Sequence, residues 1–187
     1  MPSGYIEIDF GAAPGNSQAS VNVTGQGAIN TSSFVESWKS GEATTDHTAM
    51  ESSITNMEIL CSNIVNGVGF TITATSRIGR LTGKYKLYWA WISSSTNIGT
   101  VEIDFGDAPG ISELEYNITG QSSILSDSMI EVWKDGNAST NHTITDVQIS
   151  DFNLYASAPI VGTGFKIYAV SNMGRLTGKY RINWLWN

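Results

Sequence analysis

The chain repeats itself at a fixed offset. Ile6-Glu7-Ile8-Asp9-Phe10-Gly11 returns as Val101-Glu102-Ile103-Asp104-Phe105-Gly106, and Gly79-Arg80-Leu81-Thr82-Gly83-Lys84-Tyr85 returns as Gly174-Arg175-Leu176-Thr177-Gly178-Lys179-Tyr180. Both returns fall 95 residues later, with no insertion or deletion between them. The pattern reads as a doubling of one small domain, with copies at residues 4–92 and 99–187 and a small, polar linker at 93–98. Each copy is long enough to hold its own core, and the period is too long for a solenoid repeat. A position kept in both copies is one that both need; a position that differs was free to change.

Within a copy the patterning has period two, and Gly, Ser, Thr and Asn fill the gaps, as in all-β proteins. Ile6, Ile8 and Phe10 alternate with Glu7 and Asp9, so the first strand buries one face and shows carboxylates on the other. In the last strand Tyr85, Leu87, Trp89 and Trp91 share a face that the second copy fills with Tyr180, Ile182, Trp184 and Trp186. Further strands are expected over 19–24, 34–39, 54–65 and 69–76, the last with Phe70, Ile72 and Ala74 inward. Loops are expected over 11–15 and 40–48, and a helix is left open around 48–56. Six strands per copy imply two tandem all-β domains of β-sandwich or jelly-roll-like architecture.

Seventeen acidic residues against ten basic ones give a net charge of −7, which disfavours nucleic acid and anionic membrane as partners. The start Met1-Pro2-Ser3-Gly4 has neither the basic nor the apolar part of a signal peptide, so synthesis in the cytoplasm is expected. Cys61 faces Ala156 in the second copy, so no disulfide or thiolate is common to both; it reads as a small buried thiol.

Seven of the ten basic residues lie in the segment from Arg77 to Lys86 or its copy. Read as a hairpin, this segment offers Arg80, Lys84, Lys86, Arg175, Lys179 and Arg181 as a docking surface for an acidic partner. The competing reading is a glycine turn whose charges protect a strand edge. Trp38 and Trp133, each followed by lysine, could stack on a sugar ring, although core packing is the favoured reading. His47 and His142 are matched, but the neighbouring Asp46 becomes Asn141, so backbone bonding in a loop is expected rather than metal or acid/base chemistry. No catalytic residues, metal ligands or cofactors are expected, and the chain reads as non-enzymatic.

The order Glu7 to Gly11, Thr24 to Gln26, Trp38-Lys39, His47-Thr48, Gly67 to Ala74, Leu81 to Tyr85, and Trp89 with Trp91 resembles small proteins encoded among the virion structural genes of tailed bacteriophages. The resemblance covers essentially each whole repeat, and the tandem arrangement departs from a family that is generally single-copy. It implies a virion component, either capsid decoration or part of the tail and its fibres, that contacts other virion proteins and forms a homo-oligomer or pseudo-symmetric assembly on the particle. It brings no site residues with it. The alternative from another class is a carbohydrate-binding module reading a host cell-surface glycan, which an exposed Trp38 lining a groove would favour.

Overall fold

The structure, a computed structural model, describes residues 2–93 and 97–187. It is all-β apart from one short helix in each half, and the chain divides into two compact units, residues 1–94 and 95–187. The first unit contains β1 (Ser3–Asp9), β2 (Gln18–Val23), β3 (Phe34–Lys39), α1 (Ala49–Ile54), β4 (Met57–Val65), β5 (Gly69–Ser76) and β6 (Lys84–Ile92). The second repeats the order as β7 (Ile98–Asp104), β8 (Glu113–Ile118), β9 (Ile130–Lys134), α2 (Ile144–Ile149), β10 (Phe152–Ala156), β11 (Phe165–Ser171) and β12 (Lys179–Trp186). Of the expected linker, residues 94–96 lie outside the described residues. Ile98 belongs to β7 instead, where its side chain is buried and it pairs with Leu185.

Each unit is a sandwich of two three-stranded antiparallel sheets, β1-β6-β3 over β2-β5-β4 in the first and β7-β12-β9 over β10-β11-β8 in the second. The aromatic strand β6 is the centre of one sheet and β5 the centre of the other. Their inward residues meet: Phe70 packs edge-on to Trp89 at 5.7 Å between centroids, and Phe165 does the same to Trp184. Phe10 and Tyr85 form a second edge-on pair at 5.7 Å. Burying aromatics of this size contributes about 3 kcal/mol each and concentrates the stability of a small domain along one strand. The indole of Trp89 lies so close over Gly4 that an added Cβ would sit 2.5 Å from its ring, and Trp184 covers Gly99 at 2.4 Å. Here glycine is needed for space.

Three further expectations about the fold change. The segment from Arg77 to Lys86 is not a hairpin, because β5 and β6 lie in different sheets; residues 77–83 are the crossing between the two layers of the sandwich, and Lys84 already opens β6. Ile54 ends a helix rather than opening a strand, which begins at Met57. A capping box starts that helix: the Thr48 hydroxyl accepts from the Glu51 amide, and the Glu51 carboxylate accepts from the Thr48 amide at 2.8 Å. Thr143 and Asp146 do the same for α2. Cys61 is half-buried against the core rather than enclosed by it, because its strand lies at the sheet edge.

Candidate functional site

The longest run shared by the two halves is anchored from two sides. On one side Asn16 and Leu81 exchange backbone hydrogen bonds at 3.0 and 2.9 Å, and the Arg80 guanidinium donates to the Gly15 carbonyl at 3.1 Å. On the other, His47 Nε2 donates to the Thr82 carbonyl at 2.7 Å while its ring stacks on Tyr85. The Asp46 carboxylate accepts from the Lys84 amide at 2.9 Å, and the Thr44 hydroxyl donates to the Lys84 carbonyl at 2.8 Å. Gly83 has φ near +68°, and a Cβ there would meet the Asp46 side chain at 2.8 Å. The second half builds the same latch from Arg175, His142, Asn141 and Ser139. The histidines therefore bond to backbone in a loop, as the Asp46 to Asn141 exchange implies.

In Trp38-Lys39 and Trp133-Lys134 it is the lysine that has the same structural role in both units. Lys39 Nζ donates to the carbonyls of Ser53 and Thr55, and Lys134 Nζ to that of Ser150 at 2.6 Å. Each ammonium thus closes the C-terminal end of a short helix, where carbonyls lack intrahelical partners. Burial lowers the Lys39 pKa from its ordinary value. Trp38 itself points outward and is 45% exposed, which overturns the core assignment; Val35 on the opposite face is buried. Trp133 is partly buried.

The outer face of β1-β6-β3 gathers most of the remaining candidates. Register sets Glu7 opposite Lys86 and Asp9 opposite Lys84, so the carboxylate strand and the basic strand are neighbours and their charges form one ladder. Lys86 also pairs with Glu42 at 2.6 Å and lies 4.8 Å above the Tyr5 ring; Tyr88 donates its hydroxyl to the other oxygen of Glu42. The hydrogen bonds from Lys86 and Tyr88 hold Glu42 below the usual carboxylate range and raise the pKa values of Lys86 and Tyr88 themselves. In the second half Glu102 faces Arg181 and Asp104 faces Lys179, Arg181 pairs with Asp135 at 2.8 Å, and Thr140 bonds hold the Glu102 carboxyl low. Four of the six candidate basic residues, Lys86, Arg181, Arg80 and Arg175, are thus engaged within their own units, while Lys84 and Lys179 stand opposite Asp9 and Asp104 in the register.

One step along this face from the charges, Tyr5, Tyr88 and Trp38 occupy one row across three strands, Tyr5 opposite Tyr88 and Tyr88 opposite Trp38. The rings of Trp38 and Tyr88 lie 6.2 Å apart with planes inclined by 34°. The equivalent row of the second half reads Thr100, Asn183, Trp133, and the Thr100 hydroxyl donates to the Asn183 side chain at 2.7 Å. Tyr5 was not singled out from sequence; its parity with Glu7 and Asp9 is the signal that places it outward.

A second surface is common to both units. Ile54 and Ile78 are 75% and 68% exposed, and their equivalents Ile149 and Met173 are 54% and 64% exposed. The Arg77 amide donates to the Asn56 carbonyl at 3.0 Å, which sets the crossing beside the end of α1; Asn172 and Asp151 do so in the second unit.

Among the described residues, no group of three or more His, Cys, Asp or Glu side chains could hold a metal ion, and no helix is long and apolar enough to cross a membrane. No family model, no curated protein and no solved structure matches the chain.

Proposed function

We propose that the protein is a non-enzymatic structural component of a bacteriophage virion, on the capsid or in the tail, in which two equivalent β-sandwich units engage partner proteins. The observation that carries this reading is the matched pair of exposed apolar positions, Ile54 with Ile78 and Ile149 with Met173, at the same place in each unit. Large apolar side chains kept exposed at equivalent sites suit repeated protein contact. The motifs shared by the two halves support a structural role too, since His47, Arg80, Gly83 and Lys39 all serve the architecture of the unit. Two such units in one chain raise the local concentration of the second contact once the first has formed.

The basic residues are a weaker docking surface than their number suggests, because Lys86 and Arg181 are paired with Glu42 and Asp135, and Arg80 and Arg175 bind backbone carbonyls. Co-purification of the chain with assembled particles tests the reading. Ile54→Ser combined with Ile149→Ser should reduce that association while melting remains within about 0.5 kcal/mol of the parent, as for exposed positions. A chain absent from particles under all conditions would overturn it.

A further inference from the structure

We infer that the first unit carries a binding site for a neutral saccharide, formed by Tyr5, Tyr88 and Trp38 on the outer face of β1-β6-β3, and that the second unit has lost or never acquired it. This goes beyond the virion reading and does not depend on it.

The three rings occupy adjacent strands in direct register, so the row extends across two strand spacings, about 10 Å. Tyr5 is 64% exposed and Trp38 is 45% exposed on an outer sheet face. The modest inclination of Trp38 to Tyr88 leaves two neighbouring aromatic faces on which successive apolar ring faces of a disaccharide can lie. Tyrosine and tryptophan supply an apolar body with a polar tip, which suits a ligand whose edges carry hydroxyls and whose faces carry C–H bonds.

The polar surroundings specify the ligand further. Glu42, Lys86 and the Tyr88 hydroxyl form one hydrogen-bonded group beside the row, and Glu36 and Ser3 stand on its other side, both opposite Ala90. The Glu42 carboxylate and the Lys86 ammonium are already paired with each other, and the other charged group beside the row, Glu36, is acidic, so the site presents donors and acceptors but no free cation for an anionic ligand. That favours a neutral polyhydroxylated molecule over a phosphate or carboxylate ligand. Single-stranded nucleic acid would also stack, but it needs free basic groups along its backbone, and the chain carries a net charge of −7. A protein partner would be met by a wide apolar centre with a polar rim, whereas this row is one side chain wide and bordered by polar groups on both sides.

The second unit supplies an internal control. Thr100 and Asn183 replace two of the three rings, and their side chains bond to each other. The scaffold is the same, and the stacking surface is absent.

The test uses the full chain with three neutral probes, cellobiose, maltose and diacetylchitobiose, followed through the six tryptophan indole N–H signals in a heteronuclear spectrum. Trp38→Phe assigns one signal by its disappearance. A probe should shift the Trp38 signal and leave that of Trp133 unmoved, and Trp38→Ala and Tyr5→Ala should each weaken binding about tenfold, the value of one aromatic contact. Trp133→Ala should bind as the parent does. Tyr5→Ala keeps the test interpretable, since its largely exposed side chain can be removed without disturbing the core. Absence of any shift with all three probes overturns the inference, as does a shift insensitive to Tyr5 and Trp38. Self-association of the chain that Trp38→Ala abolishes would also overturn it, making the face a contact between copies. Particle association of the same variants is measured separately, so loss of sugar binding and loss of virion incorporation are read independently.

Discussion

The imidazole of His47 lies face to face with the phenol ring of Tyr85, their centroids 4.2 Å apart and their planes inclined by 20°. His142 and Tyr180 repeat the arrangement at 4.3 Å and 23°. With Nε2 donating to the Thr82 carbonyl, the ring is held by its edge and by its face, and it fastens the 40–48 loop to the crossing between sheets.

His47→Ala should therefore destabilise the first unit by about 1–2 kcal/mol, through one hydrogen bond left unmade and one lost ring contact. His142→Ala should do the same to the second unit. Calorimetry should show each variant lowering one transition, and a chelator should change neither.

Ser52 is buried to 1% exposure on α1, and its hydroxyl has no hydrogen-bond partner. The equivalent position of the second half holds Val147, fully buried. Ser52→Val should stabilise the first unit by about 1–2 kcal/mol, since it removes an unsatisfied hydroxyl and adds apolar burial. At about 4–8 °C per kcal/mol for a domain of this size, the rise in melting temperature is readily measured.

The two helix-closing lysines should differ in worth. Lys134 is buried and bonds to Ser150, whereas Lys39 is partly exposed and is shared between two carbonyls. Lys134→Met should cost about 2 kcal/mol, in the range for hydrogen bonds from a charged donor, and Lys39→Met about 1 kcal/mol. Chemical denaturation of the two variants checks the order.

Acid should loosen both capping boxes. Hydrogen bonds from Thr48 hold the Glu51 carboxyl below its ordinary value, and those from Thr143 do so for Asp146. A carboxyl whose pKa is depressed in the folded state binds fewer protons there than in the unfolded chain. Its contribution is therefore complete above the unfolded values, about 4.3 for Glu and 3.9 for Asp, and is lost as pH falls through the folded ones. Melting temperature followed downward from pH 5 should decline less steeply in a Glu51→Gln, Asp146→Asn double variant than in the parent.

Much of the fold is legible because its signals are local. The strands Phe34–Lys39 and Gly69–Ser76 begin and end where alternation and turn residues place them. The buried faces of β5 and β6 are likewise written in every second residue. The direction of Trp38 is not, because the opposite face carries polar Ser37, whose hydroxyl donates to the Tyr88 carbonyl at 2.8 Å. A satisfied serine on that side removes the contrast on which a parity argument depends. The crossing from Arg77 to Gly83 is hidden for another reason. Glycines mark a turn whether the chain returns to its own sheet or passes to the next, and the choice is made by β1 and β3, far away in sequence.

The surface row of Tyr5, Tyr88 and Trp38 is assembled by register alone. Each ring is visible in the sequence, but their alignment requires knowing that β6 lies between β1 and β3. The same register sets the acidic strand beside the basic one, so charges that stand far apart in the sequence face one another across the sheet.

Asp46 and Asn141 carry different charges and accept the same backbone hydrogen bond, from Lys84 and from Lys179. The architecture there needs only an oxygen that accepts, which a carboxylate and an amide both supply. Such a position lets a lineage adjust the electrical character of a loop without renegotiating the fold, and it separates the acidity of this chain from the rules that shape it.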